Sequence, residues 1–383
     1  MPRHSSSTNG RASTTHMRKT RNSSIELLRI IAAYLIVLRH FVGANALDVW
    51  AQPLSFNKTM LEGLLYPSGK VGVVLFFLIS AWFLCESTTD LKTAFRRAWI
   101  LEREILFYSL ILTAVIFATN RSLLTPKILI SAILPTSTDL WWYTTSYIVF
   151  LILFPFLTIG LKSLGRKFHR NCCLVCIILW SIGGGLISFV SFDMTKENVL
   201  IFIYLYTLVS YWRWYQPELI ARRTAIVFII LGYAISIASV LALTPITLTL
   251  DRGKHQQTML GQNEWMLPIM LIGFGMFSLA KQHHFTNRVV NSIAKSTLAI
   301  YLITVYPPIS VLLWEQTFSM KNIYSNPLLM PYALGIAALT ASACIAIDFI
   351  RRGIFAISID RNPGKCFDKL WELFEKNTIL TAV

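Results

Sequence analysis

Arg29 and His40 interrupt the first long apolar stretch of the chain, RIIAAYLIVLRHFVG. Eleven positions on a helix make three turns and about 20°, so the two side chains share one face, roughly 16 Å apart along the axis. A charge near the centre of a bilayer costs roughly 2.5–3.5 kcal/mol on insertion scales, so it turns to the interior of a bundle rather than to lipid. Whatever this chain folds into must therefore enclose a polar stripe along its opening helix.

The rest of the sequence says what kind of bundle that is. Of 383 residues, 55% are apolar and 14% charged, and mean hydropathy is +0.57. Water-soluble domains carry nearer a quarter charged residues, which excludes that class. Apolar runs of membrane-crossing length recur at 25–44, 70–86, 100–119, 141–161, 173–192, 197–212, 225–244, 262–280, 293–313 and 329–350. The expectation is an all-α polytopic membrane protein with about ten transmembrane helices.

The formal charge of +16 is topological. If the N-terminus is inside, the alternating inner segments hold 25 of the 35 Lys and Arg residues and the outer loops eight, with Arg29 and Arg39 in the first span. That is the positive-inside bias, and it predicts that both termini are cytoplasmic. No nucleic-acid partner is expected. The CxxC of Cys173 and Cys176 stands alone, without a second pair or nearby histidines, so no metal site is expected.

Along the chain, residues 1–24 read as a disordered basic cytoplasmic tail, with Ser23 or Ser24 capping the first span. Residues 25–350 form the membrane domain, and 351–383 a cytoplasmic tail with a short amphipathic helix. The segment 120–140 carries an apolar patch too short to span, so it lies at the interface or re-enters the bundle.

Histidine titrates near neutrality and takes a proton from a hydroxyl, which suits His40 to general-base work. Arginine stays charged and grips phosphate or a carbonyl oxygen, a role open to Arg29 beside that of a snorkelling anchor. Arg96, Arg97 and Arg103 precede the third span, as positive-inside charge or as a polyphosphate site. Ser80 and Ala81 sit amid bulky aromatics, either for close helix packing or to leave room for a thin acyl chain. Trp142, Tyr143 and Tyr147 are either an outer aromatic belt or a carbohydrate platform. Asp48 and Glu62 are candidate carboxylate partners for His40.

These segments resemble the acyltransferase 3 family of integral membrane O-acyltransferases. RNSSIELLRIIAAYLIVLRH is similar to its first span, an Arg followed after ten residues by a His. VGVVLFFLISAWFL resembles its FF-x-x-S-G pattern, WWYTTSYIVFLILFPFL its aromatic span ending in proline, and NSIAKSTLAIYLI its late A-x-x-S-x-x-I-Y-L-I span. The series keeps the family's order and covers about residues 22–350. The resemblance implies transfer of an acyl group, usually acetyl, from cytoplasmic acyl-CoA to a hydroxyl of a surface polysaccharide or lipid-linked glycan at the plasma membrane. It makes His40 the catalytic base and has Arg29 hold the donor. It sets Arg103 and Arg97 against the nucleotide of the carrier, with no permanently bound cofactor. Two positions depart from the pattern: Ala81 replaces a glycine and narrows any passage there, and Thr304 stands where many members have a histidine. The competing expectation is a transporter or flippase for a glycolipid or organic anion, which would also bury charge at mid-membrane.

Overall fold

A computed structural model describes residues 22–187, 198–216 and 218–377. The predicted tail up to residue 21 and the middle of the region predicted to span at 173–192 and 197–212 lie outside the described residues. Asn22 opens the first helix, α1 (Ser23–Gly43), by accepting the N–H of Ser24. Neither predicted cap, Ser23 or Ser24, takes that role: Ser24 supplies the bonded N–H, and Ser23 sends its hydroxyl across to Asn291 at 2.8 Å.

The second helix is longer than its hydropathy predicts. Residues 45–69 read as a loop before a short span, but α2 runs from Phe56 to Leu84. Ser55 caps it by accepting the N–H of Lys58. Its first turns look too polar to cross a membrane because they contain Lys58 and Glu62. These lie one helical turn apart, are both fully buried, and approach to 3.1 Å. The Lys58 ammonium also donates to the carbonyls of Val49 and Trp50. The ion pair thus offsets the two buried charges, nearby backbone satisfies the ammonium, and the helix stays closed around them.

The helices that follow are α3 (Leu91–Thr119), α4 (Pro126–Ile133), α5 (Trp142–Ser163), α6 (Gly165–Cys176), α7 (Val199–Tyr215), α8 (Arg222–Thr249) and α9 (Leu267–Gln282). Then come α10 (Arg288–Val305), α11 (Pro307–Thr317), α12 (Leu329–Ile357) and α13 (Lys365–Asn377). There is no strand among the described residues. Four helices, α2, α5, α8 and α12, are long and apolar enough to cross a membrane, and α10 with α11 makes a fifth, bent by 78°. The bend divides the span predicted at 293–313: Pro307 and Pro308 end α10, and Tyr306 is extended between the two halves.

The segment 120–140 re-enters. After Thr119 the chain turns back, and the Ser109 hydroxyl of α3 donates to the carbonyl of Ala132. The Thr136 hydroxyl then reaches Glu102, near the basic end of α3. α5 therefore starts inside the bundle.

The predicted inner segments meet at one end of the molecule and the outer loops at the other. At the Arg29 end, the backbone N–H of Ser23 bonds Phe285, the Trp214 indole bonds Cys85, and Arg352 bonds Ser292. At the His40 end, Asn45 bonds Phe318, Asn57 bonds Tyr324, and Gln257 bonds Trp50.

α1 packs chiefly against α2, with α10 and α12 on its flank. Gly72 sets the α1–α2 distance, since a Cβ there would lie 2.5 Å from the Ala32 carbonyl oxygen and 2.8 Å from Ile36. Apolar packing divides into two clusters, one around α2, α5, α7 and α9 and one around α1, α3, α10 and α12. Leu35, Phe76, Trp142 and Tyr143 touch both, so they mark the seam between the two halves.

Candidate active site

Three helical stripes converge on that seam. Arg29, Ile36 and His40 lie along α1 at spacings of seven and four. Val73, Phe76 and Ser80 follow one another along α2, and Tyr143, Tyr147 and Leu151 step down α5 at intervals of four. These spacings put each set on one helical face. The faces enclose two neighbouring voids of very different size.

The wider void, about 470 Å³, lies at the Arg29 end, and Arg29, Ser80, Arg97, Glu104, Tyr147 and Leu151 are among its lining residues. Arg29 is half-buried and stands 3.7 Å from Glu26, beyond hydrogen-bond range. Arg97 touches the Ser87 hydroxyl at 3.3 Å. Glu104 pairs at 3.3 Å with Arg351, which is also held at 2.6 Å by buried Asp348. Asp348 in turn accepts a hydrogen bond from Tyr108. The cavity thus presents two guanidinium groups, Arg29 with Glu26 at 3.7 Å and Arg97 on the Ser87 hydroxyl, beside a carboxylate already committed to α12. A polyanion is the natural ligand of such a mouth.

The narrow void holds only about 20 Å³ and is walled by Ile36, Val73, Phe76, Tyr143, Leu298 and Tyr301. Tyr143 and Tyr147 stack with ring centroids 6.1 Å apart, so the two voids share a wall. Tyr143 also meets Phe76 edge-on at 6.3 Å and Tyr301 at 5.9 Å. His40 lies half-buried one turn beyond Ile36 on the same stripe of α1.

Among the predicted site residues, Arg29, Ser80, Arg97 and Tyr147 come together around one cavity. Tyr143 lines the gap. These tyrosines are not at the outer loops, because the re-entrant segment carries the start of α5 into the bundle. Trp142 sits between Phe202 and the Lys70 ammonium, 5.7 Å above its ring. Arg103 faces away from the cavity and pairs with Asp360 at 3.0 Å. Arg96 likewise binds the Pro363 carbonyl and Asp368.

The candidate carboxylates are committed elsewhere. Asp48 accepts the N–H of Ala51 in an exposed turn, and Glu62 pairs with Lys58. Arg39 folds over the Tyr66 ring at 3.8 Å and donates to its hydroxyl. Ala81 is fully buried in the apolar packing and does not line either void. Thr304 bonds back to the Ile300 carbonyl.

Ile36 and Glu104 went unmarked in the sequence. Ile36 could have been found, since it lies on the Arg29–His40 stripe, and Glu104 stands seven after Arg97. Tyr301 belongs to the late YLI segment, to which the sequence assigns no role; its contact with Tyr143 places it beside the gap.

A family model for the acyltransferase domain of the acyltransferase 3 family matches residues 22–347. No curated protein and no solved structure matches the chain.

Proposed function

The chain belongs to the acyltransferase 3 family of membrane acyltransferases, and from that premise we propose the following reaction. An acyl group, acetyl in the simplest case, passes from cytoplasmic acyl-CoA to a hydroxyl of a surface polysaccharide or lipid-linked glycan at the plasma membrane. Ten crossings with both termini in the cytoplasm belong to the same proposal.

The observation that carries it is the shared wall of a wide, arginine-lined cavity and a narrow gap, with His40 one turn past the gap. Arg29 and Arg97 hold the donor's anionic end in the wide cavity, and the thin arm points through the gap toward His40. His40 takes the proton of the acceptor hydroxyl as its oxygen attacks the thioester carbonyl. The new C–O bond forms, the C–S bond breaks, and the proton passes from the imidazole to the departing thiolate. Arg103 stays outside this donor set because Asp360 occupies it.

The test is incorporation of label from radioactive acetyl-CoA into alkali-labile esters of membrane glycans. His40→Ala abolishes incorporation while its level in the membrane is unchanged. Arg29→Gln raises the KM for acetyl-CoA about tenfold or more, the loss of one charge-assisted bond. Wild-type incorporation by His40→Ala would overturn the assignment.

A further inference from the structure

We propose that the gap is a width filter for the transferred group, which passes unbranched acyl chains and refuses those branched beside the carbonyl. The inference rests on the transfer reading above and adds the residues that select the donor. A void needs roughly 10–15 Å³ to admit a single water molecule. The gap, at about 20 Å³, is therefore little larger than a single water molecule needs, against about 470 Å³ in the neighbouring cavity. An unbranched chain enters it with the least displacement of the walls. A branch requires a second carbon abreast of the first.

The walls resist widening. They come from four helices: Ile36 from α1, Val73 and Phe76 from α2, Tyr143 from α5, and Leu298 and Tyr301 from α10. Ile36 and Val73 are buried and β-branched, so each has little rotamer freedom to yield. Behind Ile36, Gly72 lets α1 approach α2 so closely that no slack remains. Tyr301 is fixed by its hydroxyl, which accepts the Tyr143 N–H at 3.4 Å. A close-packed wall of this kind does not accommodate an extra methyl without displacing a neighbour.

Two isomers of one donor test the filter, because butyryl-CoA and isobutyryl-CoA share composition and carrier and differ in width. Inverted membrane vesicles containing the full chain receive either labelled isomer, or labelled acetyl-CoA, and alkali-labile label in extracted glycans is counted against vesicles lacking the protein. The wild type favours butyryl over isobutyryl by about tenfold or more, the scale of a misfitting carbon in an apolar pocket. Ile36→Ala reduces that preference by roughly fivefold or more, as the cost of the misfit falls. Leu298→Ala, on a different helix, gives the second reading if Ile36→Ala fails to assemble. Equal incorporation of the isomers by the wild type, or an unchanged preference in both variants, overturns the filter and leaves acyl transfer standing. Label from acetyl-CoA but from neither isomer in any variant also overturns it. No label from any donor defeats the transfer reading, and the filter with it.

Discussion

Tyr143 and Tyr147 stack 6.1 Å apart with their planes 17° from parallel, yet each lines a different void. Their contact lies where the donor cavity adjoins the gap. Tyr147→Ala removes one side of that contact and is expected to raise the KM for acetyl-CoA about tenfold, the upper end of what an aromatic pair contributes. Tyr147→Phe keeps the ring and stays within about threefold. Equal KM values for the two variants would deny the ring its part in the wall.

Gly72 and Gly335 offer a controlled comparison. A methyl at Gly72 meets the Ala32 carbonyl oxygen at 2.5 Å, whereas one at Gly335 meets nothing within 4 Å. Gly72→Ala therefore destabilises by about 1–3 kcal/mol, as overpacking does. Gly335→Ala is neutral or slightly stabilising, because alanine favours the helix. Thermal unfolding in detergent distinguishes them, and a Gly72→Ala protein as stable as wild type would show that α1 and α2 can move apart.

Lys70 and Glu264 are joined at 2.7 Å, with 3% and 0% of their side chains exposed. Removing one partner leaves a buried charge, so Lys70→Met costs about 3–5 kcal/mol. Adding Glu264→Leu recovers most of that loss, since apolar replacement of a whole buried pair is nearly neutral. A double variant no more stable than Lys70→Met would contradict this account.

Asp90 caps α3, accepting the N–H of Thr93 at 2.8 Å. That bond holds its carboxyl below the usual carboxylate range. A depressed folded value means the cap stabilises above the unfolded pKa and is lost as pH falls through the folded one. Asp90→Ala is thus expected to cost about 1 kcal/mol at neutral pH. The difference from wild type shrinks as pH falls from the ordinary aspartate value through the lowered folded one. A gap between the two proteins that stays constant through that acid range would refute the cap's role.

What was legible in the sequence was whatever a single helix decides. The spacing of Arg29 and His40 gave their common face, while Ser80 and Arg97, which share the cavity with Arg29, each kept two readings until the family resemblance set Arg97 against the donor. What stayed hidden depends on partners far along the chain. Tyr147 reaches the donor side because Ser109 and Glu102 hold the re-entrant segment by polar contacts that hydropathy cannot register. Lys58 and Glu62 disguised the first turns of α2, since a window average counts each charge but not their pairing. The pairing of Arg103 with Asp360 was not legible, because the two lie 257 residues apart.

The segment after α12 seats Asp360 on Arg103 and Asp368 on Arg96, turning at Gly364, whose φ of 97° brings the chain against the Arg96 guanidinium. The protein thus answers part of its own basic face with its own acids. Raising ionic strength then acts in two places: it weakens the approach of any polyanion to the cavity, and it loosens the tail from Arg96 and Arg103 on the neighbouring basic face.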